Sequence, residues 1–148
     1  MKKLVILSIF LAMIVIILGA YARLTDAGLG CPDWPGCYGH ISFSETTKNI
    51  ETAQQAFPDR PFEEHKAWNE MIHRYFASAL GFMILLIFIR SLFRKGYNTP
   101  RKLPFALVCL VCFQGALGMW TVTMNLLPVV VMGHLLGGFA VLSGLFLL

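Results

Sequence analysis

Apolar residues fill four stretches of this chain, and polar residues collect between them. The stretches run Leu4–Ala22, Ala67–Ile89, Leu103–Met124 and Leu126–Leu148. Each approaches the ~20 residues that a helix needs to cross ~30 Å of hydrocarbon. The pattern predicts an all-α membrane protein. Four transmembrane helices form one domain over residues 1–148, with a long loop at 23–66 and a short one at 90–102.

Composition agrees. Hydrophobic residues make up 57% of the chain and charged residues 14%, and the mean hydropathy is +0.67. A soluble domain of this length rarely has that balance. The net charge of +4 matters less than its distribution. Lys2 and Lys3 precede the first span, and Arg90, Arg94, Lys95, Arg101 and Lys102 lie between the second and third. The stretch from Tyr21 to Lys66 carries seven acids against four bases. The excess of positive charge on inner loops then puts both termini inside and the long loop outside. A bacterial-type inner membrane, with the N-terminus cytoplasmic, is the expected location. No nucleic-acid partner is expected; the partner of this surface is membrane lipid.

Two features qualify the ends. Met1-Lys2-Lys3, the apolar run and Ala20-Tyr21-Ala22 resemble a secretory signal. The run is longer than such signals usually have and three more spans follow, which favours a retained helix. The fourth span stops at Leu148 without a basic flank, so the chain is expected to be part of a longer one.

The long loop begins with turn formers: Asp26, Gly28, Gly30, Pro32, Pro35, Gly36 and Gly39. Tyr21, Trp34 and Tyr38 supply rings suited to the membrane interface. One short amphipathic helix is expected around Ser44–Ala56, and Pro58 and Pro61 break the chain after it. Cys31 and Cys37 flank five residues on the expected outer side, where disulfides persist. A metal pair is the competing reading, but no residue set completes a tetrahedral site at the usual spacing. Cys109 and Cys112 sit inside the third span, where they read as small apolar residues.

Candidate chemistry lies at the head of the second span. Glu70, His73 and Arg74 stand where a bilayer charges ~2.5–3.5 kcal/mol per buried charge at mid-depth. Glu70 and His73 are three apart and share a helix face. His73 lies five residues past Trp68, and His134 six past Pro128. At 1.5 Å per residue both sit ~8–9 Å below their helix starts. Two imidazoles at matched depth on helices running the same way can ligate one haem iron from both sides. Gln114-Gly115, Gly118 and Gly137-Gly138 allow close helix packing or leave room for a flat macrocycle. Glu70 either pairs with Arg74 as an anchor or faces the same cavity as a proton-trading carboxylate. Arg23 and Arg74 either bind haem propionates or reach lipid phosphates.

Arg23-Leu24-Thr25 and the run Gly28 to Gly39, with Cys31-Pro32-Asp33-Trp34-Pro35-Gly36-Cys37, resemble the first outer loop of the haem A synthase family. Glu70-Met71-Ile72-His73-Arg74, Gln114-Gly115-Ala116-Leu117-Gly118 and Pro128 to Gly138 are similar to that family's second, third and fourth helices, in order. The resemblance implies oxidation of a methyl group of haem O to a formyl group, giving haem A for cytochrome oxidase assembly. It implies His73 and His134 as axial ligands, Glu70 as the catalytic carboxylate and Cys31–Cys37 as a disulfide tied to activity. Family members usually have eight helices in two halves, and this chain matches the N-terminal half. The other half holds haem b on another histidine pair. The missing half is expected either downstream in the same chain or in a homodimer partner. Haem O synthase is the expected supplier of substrate. The competing readings are a bis-histidine haem b cytochrome that only passes electrons and a haem-free assembly subunit.

Overall fold

The computed structural model describes residues 1–93 and 101–148. Arg94 and Lys95, on which part of the orientation expectation rests, lie outside the described residues. The described residues form six helices and no strand: α1 (Lys2–Leu24), α2 (Phe43–Lys48), α3 (Ile50–Ala56), α4 (Glu64–Phe93), α5 (Lys102–Thr123) and α6 (Pro128–Phe146). α1, α4, α5 and α6 are each long and apolar enough to cross a membrane.

The helix ends follow local chemistry. Thr25 stops α1: its amide and its hydroxyl both donate to the Tyr21 carbonyl, at 3.0 and 2.9 Å. Asp26 then turns the chain with φ 51°. α4 begins at Glu64, three residues before the expected start, and Glu64 places negative charge in its first turn. Pro128 opens α6, where a missing N–H costs nothing. The single helix expected over Ser44–Ala56 is instead two short ones, α2 and α3, separated at Asn49. The break holds a separate contact: the Thr46 hydroxyl donates to the Cys37 carbonyl at 2.9 Å, pinning α2 to the disulfide turn.

The four long helices pack in a ring in which α1 touches α4, α4 touches α5, α5 touches α6 and α6 touches α1. Among the described residues the backbones of α4 and α6 do not approach each other, so the two helices lie on a diagonal. Both run away from the end that carries the long loop.

α5 and α6 are antiparallel and fit side chain into notch. Leu107 fills the space at Gly144, where a Cβ would meet its Cδ2 at 2.6 Å. Seven residues along each helix, Gln114 fills the space at Gly137. One turn nearer the loop, His134 lies against Gly118. Such repeated close approach is how helices associate where lipid removes any hydrophobic drive between them.

The apolar core is not central. Val5, Ala12, Leu80, Ile84, Ile87, Leu107, Val141 and Leu145 cluster together, at the start of α1 and α5 and the end of α4 and α6. That is the half of the bundle away from the loop. Outside, large apolar side chains are exposed: Leu7, Phe10, Ile17, Phe82, Phe105, Phe113, Leu136 and Phe139 among them. A surface of this kind faces hydrocarbon rather than water. The free thiols Cys109 and Cys112 lie exposed on α5, away from the α6 seam.

Candidate functional site: facing imidazoles beneath a disulfide loop

A second buried cluster, Cys31, Cys37, Tyr38, Ala53, Ala67 and Met71, joins the long loop to the top of α4. Cys31 and Cys37 form a disulfide, and both are fully buried. Gly30 lets the loop lie against the α4 backbone, since a Cβ there would meet the Lys66 carbonyl carbon at 2.5 Å. Asp33 closes the turn: its carboxylate accepts the amides of Tyr38 at 2.6 Å and Gly39 at 2.8 Å. The Tyr38 ring, expected to be suited to the membrane interface, packs inside the loop itself. It is 3% exposed, packs edge-on against Phe57 and Phe62, and donates its hydroxyl to the carbonyls of Arg60 and Pro61. Burial pushes its phenol above the ordinary tyrosine range. The loop also reaches the far hairpin, where Arg60 donates to the Asn125 side chain at 2.6 Å.

Ala67, Glu70, Met71 and Arg74 share one stripe of α4 and face this loop. Glu70 is 6% exposed. Its Oε2 accepts the Cys31 amide at 2.9 Å, and its Oε1 is held by Arg74 in an ion pair. Arg74 also donates to the carbonyls of Asp33, Pro35 and Gly36. One guanidinium thus ties the carboxylate to the turn that contains the disulfide. This is the i, i+4 pair that the spacing allowed. The pair's partners in the loop lie some forty residues away in sequence and left no local signal. Arg23 lies exposed in the last turn of α1 and makes no ion pair among the described residues.

His73 and His134 project from the diagonal helices α4 and α6 and meet at the bundle axis. Their ring centroids are 6.3 Å apart and their planes nearly perpendicular, at 89°. Each ring rests against a glycine of a neighbouring helix. A Cβ at Gly19 of α1 would meet the His73 Cε1 at 2.9 Å, and one at Gly118 of α5 would meet the His134 Cε1 at 3.5 Å. The carbonyls of Val15 and Gln114 approach the same two rings, each four residues before its glycine. A helical carbonyl points toward residue i+4, so a glycine there leaves it open to an approaching ring. Nonetheless the Nδ1 atoms of both histidines are buried and reach no hydrogen-bond partner among the described residues. Gln114 Nε2 is in the same condition. A buried polar atom without a full hydrogen bond costs about 1–3 kcal/mol; the two imidazoles have a backbone carbonyl nearby, whereas Gln114 Nε2 has no partner among the described residues. Sequence reading did not find Gly19. The available signal was the lone glycine of the first span.

The glycines divide by role. Gly118 and Gly19 border the rings, and Gly137 is filled by Gln114. A Cβ at Gly115 meets nothing within 4 Å. Among the described residues no cluster of histidine, cysteine and acidic side chains forms a metal site by itself.

Fold and site together define a multi-pass, all-helical membrane protein with two facing histidines and a disulfide-braced long loop. The sequence matches the cytochrome oxidase assembly protein family over residues 2–148, and the chain belongs to that family. It is 55% identical over 142 residues to the haem A synthase of Shewanella oneidensis, which covers 96% of this chain and 42% of that protein. It is 30% identical over 137 residues to the haem A synthase of Caulobacter vibrioides, covering 82% of this chain and 38% of the relative. It is 32% identical over 157 residues to a haem A synthase of Arabidopsis thaliana, covering 88% and 34%. The chain therefore spans 34–42% of the length of these curated relatives. No solved structure matches it.

Proposed function

We propose that the chain forms the substrate-binding part of a haem A synthase, an oxidoreductase that converts a methyl group of haem O to a formyl group. The observation that carries the reading is the His73–His134 pair. A metal–imidazole bond is about 2 Å long. An iron held between two such bonds sets the ring centres roughly 6 Å apart once the rings' own half-widths are added, and the observed separation is 6.3 Å. The Val15 and Gln114 carbonyls beside the two rings support the same reading, since a ligating histidine turns its other ring N–H to such an acceptor. The haem iron supplies redox chemistry when bound. His73 and His134 would hold it.

Glu70 is the proposed catalytic carboxylate. It lies one turn above His73 on α4, and its two oxygens are already oriented by the Cys31 amide and Arg74. A carboxylate so held keeps its position without reorganising and can accept a proton or stabilise positive charge at the edge of the ring. We assign Arg74 to bracing the loop, because its Nη1 and Nη2 already bind three loop carbonyls and Glu70. We assign Arg23 to a haem propionate at the loop end, where a carboxylate stays near water.

In this reading the loop faces the outer side of the membrane, where an oxidising environment keeps Cys31 and Cys37 joined. Haem O arrives from haem O synthase. A second histidine pair holding haem b belongs to a further helical block, either in the same chain or in a second copy. The test is to supply haem O to the whole protein in membranes and to separate the extracted haems by chromatography. Formation of haem A that disappears in Glu70→Gln is expected. A protein that binds haem and passes electrons but leaves haem O unchanged contradicts the assignment.

A further inference from the structure

The side-chain amide of Gln114 has no role in the functions assigned so far. It sits on α5 one turn beyond Gly118, on the side away from the loop, and its backbone carbonyl approaches the His134 ring. The residue is 8% exposed. Its Nε2 is buried and has no hydrogen-bond partner among the described residues. The notch at Gly137 holds the amide in place, since a Cβ there would lie 1.6 Å from Nε2 and 2.7 Å from Cδ. Just beyond begins the apolar cluster that contains Leu107 and Val141, which offers no acceptor. A glutamine side chain has three rotatable bonds to lose on burial, and an apolar residue of the same length fills such a seam without leaving a donor unsatisfied. The amide makes sense where something else brings the acceptor.

We infer that Gln114 is a specificity-determining residue whose Nε2–H donates to a hydroxyl oxygen on the edge of the bound macrocycle facing away from the loop. This rests on the haem reading above. A haem's charged propionates belong at the polar loop end of the bundle, so its opposite edge points toward Gln114. In haem O that edge carries a hydroxyl at the carbon joining the isoprenoid tail to the ring. Protohaem carries a vinyl group there and offers no acceptor. A site with a buried donor aimed at a substrate hydroxyl rejects the analogue that lacks it, because the donor is then left unpaired. Gln114 thereby lets the site tell haem O from protohaem, which a bis-imidazole iron site alone cannot do.

The test measures dissociation constants of haem O, haem A and protohaem for the whole protein and for Gln114→Met. The variant is expected to weaken haem O and haem A by about 5–10-fold, the usual worth of one neutral hydrogen bond, and to leave protohaem binding and its low-spin spectrum unchanged. Gly137→Ala acts on the same amide from the neighbouring helix and is expected to give the same selective loss, so it carries the test if Gln114→Met does not fold. Equal weakening of all three haems overturns the inference, because it shows packing alone. Loss confined to haem A also overturns it, because the acceptor is then the formyl group. Failure of the unaltered protein to bind any haem removes the underlying haem reading, and the inference falls with it.

Discussion

The carboxylate of Glu70 and the amide of Cys31 meet at 2.9 Å, across thirty-nine residues of sequence, inside a buried seam between α4 and the disulfide turn. Glu70 therefore ties α4 to the loop, one helical turn from His73. Glu70→Gln preserves shape and hydrogen-bonding reach but removes charge. Haem content is expected to hold, while conversion of haem O falls by at least ~100-fold, the scale of a lost acid–base group. Normal accumulation of haem A, read by chromatography of extracted haems, contradicts a catalytic role.

Arg74 supplies most of the polar tether between helix and loop. Its replacement by Met leaves Glu70 without its counter-charge and three carbonyls without a donor, and breaking a buried pair in this way costs about 3–5 kcal/mol. The expected result is loosening of the loop about Cys31–Cys37. In the unaltered protein, thiol reagents without reductant are expected to spare Cys31 and Cys37. In Arg74→Met the disulfide is expected to be reduced much faster by added phosphine, followed by mass spectrometry. An unchanged reduction rate shows that the guanidinium does not hold the loop.

The glycines make a graded prediction. Alanine at Gly19 presses on the His73 ring, because a Cβ there meets Cε1 at 2.9 Å. Alanine at Gly118 meets the His134 ring at an ordinary 3.5 Å, and alanine at Gly115 meets nothing. Haem affinity is expected to fall in Gly19→Ala, to change little in Gly118→Ala and to be unaffected in Gly115→Ala. Spectrophotometric titration ranks the three. A loss in Gly115→Ala equal to that in Gly19→Ala contradicts the ring-contact explanation.

Much of this architecture was legible from hydropathy and spacing. The four long helices coincide closely with the four apolar stretches, because helix length in a bilayer is dictated by its thickness. Counting residues from the ends of α4 and α6 brought His73 and His134 to one level, since helical rise is constant. What stayed hidden depends on register between distant elements. The Glu70–Cys31 bond requires the loop to fold back over α4, and Gly30 makes that approach possible. The Gln114–Gly137 notch requires α5 and α6 to be aligned to within one residue. Tyr38 looked like an interfacial ring and lies in a core made by the loop itself, because Phe57 and Phe62 come to it from beyond α3. The helix expected over Ser44–Ala56 divided at Asn49 because Thr46 is drawn to the disulfide turn.

The central claim is that His73 and His134 together hold one haem iron. Low-temperature electron paramagnetic resonance of the oxidised protein, with haem O as the only haem supplied, tests it most directly. A low-spin bis-imidazole signal is expected in the unaltered protein, with loss of that signal in His73→Ala and again in His134→Ala. The same low-spin signal persisting undiminished in both variants contradicts the claim.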